Sequence, residues 1–281
     1  MKLTGKKFRS WNRKAITLLG MSGVGKTRLA CILRKHHWFH YSCDYRIGTR
    51  YLDEAILDNI KLQAMQIPFL EELLRSDSIH IANNLSVDNL KSLSSYLGKL
   101  GDPGRSGIGL GEFKHRQVLH RDAEVAAMND VPKFIRKAYE IYGYDHFIND
   151  ASGSLCELDD DQVIAKLAEH TLIIYIKATE ENEKALIERA ENDPKPLYYR
   201  ESFLDEQLAE YLQLTRLEYA ALINPDDFVR WVFPRLFYAR IPRYEAIANK
   251  YGYTVSTNEI ETVRNEKDFI KVVAKVLDKQ G

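Results

Sequence analysis

Phosphate chemistry is written most plainly in Gly20-Met21-Ser22-Gly23-Val24-Gly25-Lys26-Thr27, which has the spacing G-x-x-x-x-G-K-[ST]. Glycines at these positions let successive backbone N–H groups curl around a phosphate, the lysine reaches the β- and γ-phosphates, and the threonine hydroxyl ligates Mg²⁺. Gly20, Ser22, Gly23, Val24, Gly25, Lys26, Thr27 and Arg28 are the expected nucleotide-binding residues, with ATP and Mg²⁺ as the ligands.

Two acids follow short apolar runs. Asp44 comes after Trp38-Phe39-His40-Tyr41-Ser42 and Asp150 ends His146-Phe147-Ile148-Asn149. Asp44 is expected to orient or deprotonate an acceptor hydroxyl, or else to cap the helix that follows. Asp150, with Thr27 and Ser42, is the expected Mg²⁺ set; the plainer role for Asp150 is a turn or helix cap. Ala151-Ser152-Gly153-Ser154 is small enough to admit a ligand to the backbone, so Gly153 joins the acceptor candidates. Lys114, Arg116 and Arg121 could face a carboxylate or phosphate, or form a solvated helix face. Arg189 and Lys195, beside Pro194 and Pro196, suit an excursion over the site that neutralises charge on a transferring phosphoryl group, the alternative being a charged helix–loop connection.

These groups need a frame. Apolar runs at 15–19, 38–42, 145–150, 171–178 and 252–256 read as strands, and Thr171-Leu172-Ile173-Ile174-Tyr175-Ile176 is apolar enough to be buried on both faces. Helical spacing fills most intervals, with helices expected at 26–36, 112–130, 132–142, 180–191 and 202–223, from Arg240, and at 268–277. Alternating strands and helices predict an α/β chain folded as a three-layer α/β/α sandwich on a doubly wound parallel sheet of about five strands. Residues 1–281 are expected to form a single domain after a basic lead-in at 1–13. It would carry a helical and glycine-rich insertion at 51–111 and a lid-like segment at 189–200. Pro68 should break the helices of the insertion. Six glycines in 98–111 suggest a mobile loop or hinge. The aromatic stretch 226–238 is expected to be core rather than a ligand-stacking box.

Composition narrows the function classes. Forty basic and forty acidic residues cancel to a net charge of zero, so no global field recruits nucleic acid or an anionic membrane. There is no apolar run of 18 residues to span a bilayer and no apolar stretch after the basic N-terminus to make a secretory signal. Cys31, Cys43 and Cys156 are widely spaced, which argues against disulfides and zinc and for a cytoplasmic protein.

Several separated segments together resemble the shikimate kinase branch of the nucleoside-monophosphate-kinase-like P-loop kinases. The likeness covers 14–50 and 112–281. Tyr41-Ser42-Cys43-Asp44-Tyr45-Arg46-Ile47 is similar to that family's D-[ST]-D-x-x-I, with Ser42 at the first aspartate and Asp44 at the second, which in that family contacts the substrate hydroxyl. Glu112-Phe113-Lys114-His115-Arg116 resembles G-F-R-x-x-E, with Lys114 at the carboxylate-binding arginine. The run from Arg189 to Leu197 resembles the lid pattern R-x-x-x-x-x-R-P-L, with Lys195 at the catalytic arginine. Arg240-Ile241-Pro242-Arg243-Tyr244 is similar to R-x-P-x-Y, whose arginine holds the substrate carboxylate. Asp150-Ala151-Ser152-Gly153-Ser154 stands where the family has three glycines.

The resemblance implies a kinase acting on a small anionic metabolite. Lys26, Asp44, Arg189 and Lys195 would be its catalytic groups, and Asp44, Lys114, Arg116, Gly153 and Arg240 would hold the acceptor. The alternative is a regulatory nucleotide-dependent ATPase or switch that lost metabolite phosphorylation, with a protein partner bound through 51–111.

Overall fold

The computed structural model of the protein describes residues 3–280. Met1 and Lys2 of the expected lead-in, and Gly281 at the far end of the expected 1–281 domain, lie outside them. The described remainder of the lead-in contains a helix, α1 (Gly5–Ser10), capped by the Thr4 side chain.

Five strands form one parallel sheet: β1 (Ala15–Leu19), β2 (Trp38–Ser42), β3 (His146–Asp150), β4 (Leu172–Lys177) and β5 (Gly252–Ser256). Their spatial order is β2-β3-β1-β4-β5, a doubly wound arrangement with β1 at the centre. Every residue of β1 is buried, and β4 is buried up to its last residue, as a sheet covered on both faces requires. Register puts Leu18 beside Asp150 and Asp150 beside Ser42. The carboxyl ends of β1, β2 and β3 are therefore level, and the loops leaving them meet at one edge.

Around the sheet lie α2 (Lys26–Arg34), α3 (Cys43–Arg46), α4 (Asp53–Ala64), α5 (Pro68–Arg75), α6 (Lys91–Leu97), α7 (Leu110–Glu140), α8 (Asp161–His170), α9 (Glu180–Asn192), α10 (Glu201–Thr215), α11 (Pro225–Tyr251), α12 (Thr257–Glu261) and α13 (Glu266–Gln280). Residues 51–111, expected as an insertion, contain α4 to α6, and α5 starts at Pro68 as expected.

Three expectations are corrected. The helices read as 112–130 and 132–142 are one, α7, running through Pro132, and the helix read from Arg240 is the second half of α11, which runs through Pro234 and Pro242. Each proline removes one N–H. In α11, however, Phe228, Val232, Leu236 and Phe237 ahead of the second proline and Arg240, Tyr244 and Ala248 around and after it stay buried on one continuous face. The glycine-rich run is tied down rather than hinge-like. Gly101 N donates to Ile108 O, Ile108 N to Lys99 O, and Asp102 N to Ile223 O at 2.8 Å.

A large core packs both sides of the sheet, and a second apolar cluster joins Phe113 of α7, Phe203, Leu204 and Tyr211 of α10, and Phe228 and Val232 of α11. Of the aromatic stretch 226–238, Phe228, Phe233 and Phe237 are core, whereas Tyr238 is exposed. Among the described residues no helix is long and apolar enough to cross a membrane.

Candidate functional site

The loop between β1 and α2 closes around Lys26. Gly20, Gly23 and Gly25 all have φ values between +94° and +144°, the region where a side chain is strained. Lys26 Nζ donates to Gly20 O at 2.6 Å and Met21 O at 3.0 Å, so the ammonium rests inside the ring of its own loop. Burial lowers its pKa, while the carboxylates of Asp150 and Asp44 oppose that shift. Thr27 Oγ1 donates to Asp150 Oδ2 at 2.6 Å. Val24 is buried, so it offers only backbone here, and Arg28 reaches away to the carbonyls of Ile260 and Val263.

Gly23, Gly25, Lys26, Thr27, Arg28 and Asp150 line a crevice of about 230 Å³ together with Ser22, Asp44, Ala151 and Gly153. A Cβ on Gly25 would meet nothing within 4 Å, so the loop is open to an incoming group at that point. Buried or converging donors of this kind at a helix N-terminus suit phosphate. Among the described residues no three His, Cys, Asp or Glu side chains are grouped to hold a metal ion. A Mg²⁺ would therefore depend on the Thr27 hydroxyl and the Asp150 carboxylate, completed by water and phosphate oxygens. That donor set fits a hard cation that keeps much of its hydration shell. Ser42 is not free to join it: its hydroxyl accepts from Tyr45 N at 3.3 Å and caps α3.

Asp44 stands on α3 at the same sheet edge, two residues beyond β2. Burial raises its pKa, and the like charge of Asp150 adds to the rise; Lys26 and a hydrogen bond with Ser152 pull it back. A second cavity, of about 290 Å³, opens beside the crevice. Ser22, Asp44 and Gly153 line both spaces. A Cβ at Gly153 would sit 2.9 Å from Ser22 N, so the loop after β3 presses on the phosphate loop only because residue 153 is glycine. Arg189, near the end of α9, lies over the same loop, its guanidinium 3.5 Å from Ser22 O, and a Cβ at Gly23 would collide with it. Lys195 also lines the larger cavity but is 67% exposed and pairs with Asp193 at 3.1 Å.

The cations expected to grip an acceptor's charge are committed elsewhere. Lys114 pairs with Asp205 at 2.7 Å and Glu201 at 3.3 Å, outside both spaces. Its place on α7 is off the buried stripe Phe113-Gln117-His120-Glu124, which explains the departure. Arg116 is on the buried side but is held by Glu112, Tyr96 O and Asn59 Oδ1 at 2.6–2.9 Å. Arg240 does line the larger cavity, yet it donates to Gly153 O at 2.9 Å and Tyr198 O at 2.7 Å.

Several groups at the site went unread in the sequence. Ser152 Oγ lies 2.9 Å from Ser154 Oγ, and Ser154 donates to Glu124 Oε2 at 2.5 Å. Glu124 is fully buried, and burial pushes its pKa up to about 8. His120, one turn before it and stacked on Tyr198, is pushed down to about 4 by burial and by Arg240. The signal available was a lone acid inside the apolar run Ala123-Glu124-Val125-Ala126-Ala127-Met128. Glu157, 2% exposed, faces Arg200, Arg240 and Arg243 at 3.5–3.8 Å.

No protein-family model matches the chain, and no curated protein matches it. Among solved structures it is similar to a shikimate kinase from Bacteroides thetaiotaomicron. The match covers 94% of this chain and 98% of that one, at 14% identity and a TM-score of 0.44.

Proposed function

We propose that this protein is an ATP-dependent P-loop kinase, moving the γ-phosphoryl group to a hydroxyl of a small molecule held in the larger cavity. The observation that carries the reading is Asp44: one carboxylate lines both the crevice that holds Lys26 and a second cavity beside it. A switch that only binds and hydrolyses nucleotide has no use for the second space.

Lys26 and the loop amides hold the phosphates, and Arg189, above the loop, faces charge that builds on the transferring group. Mg²⁺, held by Thr27 and Asp150, would neutralise negative charge on the phosphates. The acceptor oxygen forms a bond to the γ-phosphorus as the bond from that phosphorus to the ADP oxygen breaks. The acceptor's proton passes to Asp44, whose raised pKa makes it a better acceptor than an exposed carboxylate. Positioning and charge neutralisation supply most of such a rate enhancement, so no covalent intermediate on the protein is needed.

The test is ADP release from Mg²⁺-ATP, alone and with a panel of hydroxylated small molecules. One class should raise turnover, and Lys26→Ala should lower that turnover by roughly 10²- to 10³-fold. ATP turnover that answers to a protein partner but to no small molecule would replace the kinase with the regulatory ATPase.

A further inference from the structure

Resting on the kinase reading, we propose that the acceptor is an uncharged ring alcohol of monosaccharide to nucleoside size, and that Arg240 is a clamp within the protein rather than a grip on a substrate carboxylate. Arg240 sits mid-way along α11 and is 4% exposed. Its two terminal nitrogens bind Gly153 O and Tyr198 O, and its Nε faces Glu157 Oε1 at 3.6 Å. Tyr244 Oη donates to the same Gly153 carbonyl at 2.6 Å. The guanidinium thus ties α11 to the loop after β3 and to the segment before α10, with its charge matched by a buried carboxylate. A ligand carboxylate could reach Arg240 only by displacing a carbonyl and approaching Glu157, leaving buried groups unpaired and like charges close together.

Two other cations line the cavity, and both are exposed: Lys195 pairs with Asp193 at 3.1 Å, and the Arg189 guanidinium lies 3.5 Å from Ser22 O. Burial pushes His120, which lines the cavity, down to about 4 and Glu124, behind Ser154, up to about 8, so both favour their neutral forms. A ligand charge placed against them would be buried without a partner.

What the cavity does offer is two unlike sides. Leu90, Leu93 and Leu97 from the insertion, with Val229 and Phe233 from α11, make an apolar wall. Asp44, Ser152, Ser154 and His120 make a hydrogen-bonding floor. A space of about 290 Å³ lined by groups of both kinds suits a ring that carries hydroxyls along one edge and C–H groups across its face. Sugars, cyclitols and nucleosides have that shape.

The experiment pairs each neutral compound with its acid: glucose with glucuronate, adenosine with its 5′-carboxylate, and the methyl ester of a cyclohexane polyol acid with the free acid. Binding is measured by titration calorimetry on the full chain with Mg²⁺ and a non-hydrolysable ATP analogue, and ADP release is measured separately with Mg²⁺-ATP. At least one neutral member should bind about tenfold tighter than its acid or better. An acid that binds as tightly as its neutral partner overturns the proposal, and so does the absence of binding by every neutral compound at millimolar concentration. Neutral binding with no transfer would instead remove the kinase reading and leave the ligand class standing.

Discussion

The two spaces at the sheet edge are built on opposite electrostatic plans. In the phosphate crevice, charges of both signs are set close together and partly open: Lys26 lies against Asp150 and Asp44, and Thr27 and Arg28 face solvent. In the neighbouring cavity the buried cation is matched within the protein, with Arg240 on two carbonyls and Glu157, and burial pushes Glu124 up and His120 down toward their neutral forms. A crevice that takes up a polyanion keeps exposed groups, Thr27 and Arg28, beside its buried lysine. A pocket that must exclude charge pairs its buried charges internally, and its specificity then comes from shape and from neutral hydrogen bonds.

The largest break in that contrast comes from Glu157. Three guanidinium groups face this one buried carboxylate, and Glu157→Gln leaves the buried Arg240 without its ion-pair partner, while Arg200 and Arg243 keep Asp159. Removing one partner of a buried pair costs about 3–5 kcal/mol, and the variant should lose stability on that scale in denaturant unfolding. A loss under about 1 kcal/mol would mean that the cluster is hydrated and that Arg240 is available to a ligand after all. Lys26→Ala, by contrast, should cost activity far more than stability, because no buried charge depends on it alone.

The same contrast explains what could be read from the sequence. The crevice is legible because seven of its lining residues, Ser22, Gly23, Gly25, Lys26, Thr27, Arg28 and Asp150, come from one motif and one strand end, and parallel strands bring their carboxyl ends level. The five strands were legible from apolar runs alone. The cavity is not legible in that way, since its walls come from residues 90–97, α7, the loop after β3, α9 with the segment that follows it, and α11, which are brought together only by packing. Basic residues near a pocket in sequence, such as Lys114 and Arg116, look like anion ligands until the helix face is known. The helices expected at 112–130, at 132–142 and from Arg240 are parts of longer ones for a related reason: burial of a whole face can hold a helix through Pro132, Pro234 and Pro242, where local preference would break it.

A smaller effect separates the neutral end of the cavity from the charged crevice by its response to pH. Glu124 has an ordinary value near 4.5 and titrates near 8 in the fold, so the folded protein holds a proton there that the unfolded chain releases. Its contribution to stability is complete below pH 4.5 and is lost as pH rises toward 8, at up to about 1.4 kcal/mol per pH unit. His120, lowered to about 4, acts in the opposite sense and over a lower range, losing stability as pH falls from 6.5. Between pH 6.5 and 8 only Glu124 of this pair changes, so the wild type should lose up to about 2 kcal/mol relative to Glu124→Gln over that interval. Parallel unfolding curves for the two proteins would show that Glu124 is charged and solvated in the fold.

The smallest effect is the most discriminating for the acceptor side. Lys114 is half-buried, and its ammonium bridges Glu201 and Asp205 on α10, which are 71% and 50% exposed. Pairs as open to water as these contribute between nothing and about 1 kcal/mol. Lys114→Ala should therefore lower stability by less than about 1 kcal/mol and leave both kcat and KM for the acceptor within about twofold of the wild type. A selective rise in KM with kcat unchanged would mean that the lysine leaves α10 and reaches a ligand. In that case the cavity draws on an outside charge, and its difference from the phosphate crevice is one of degree.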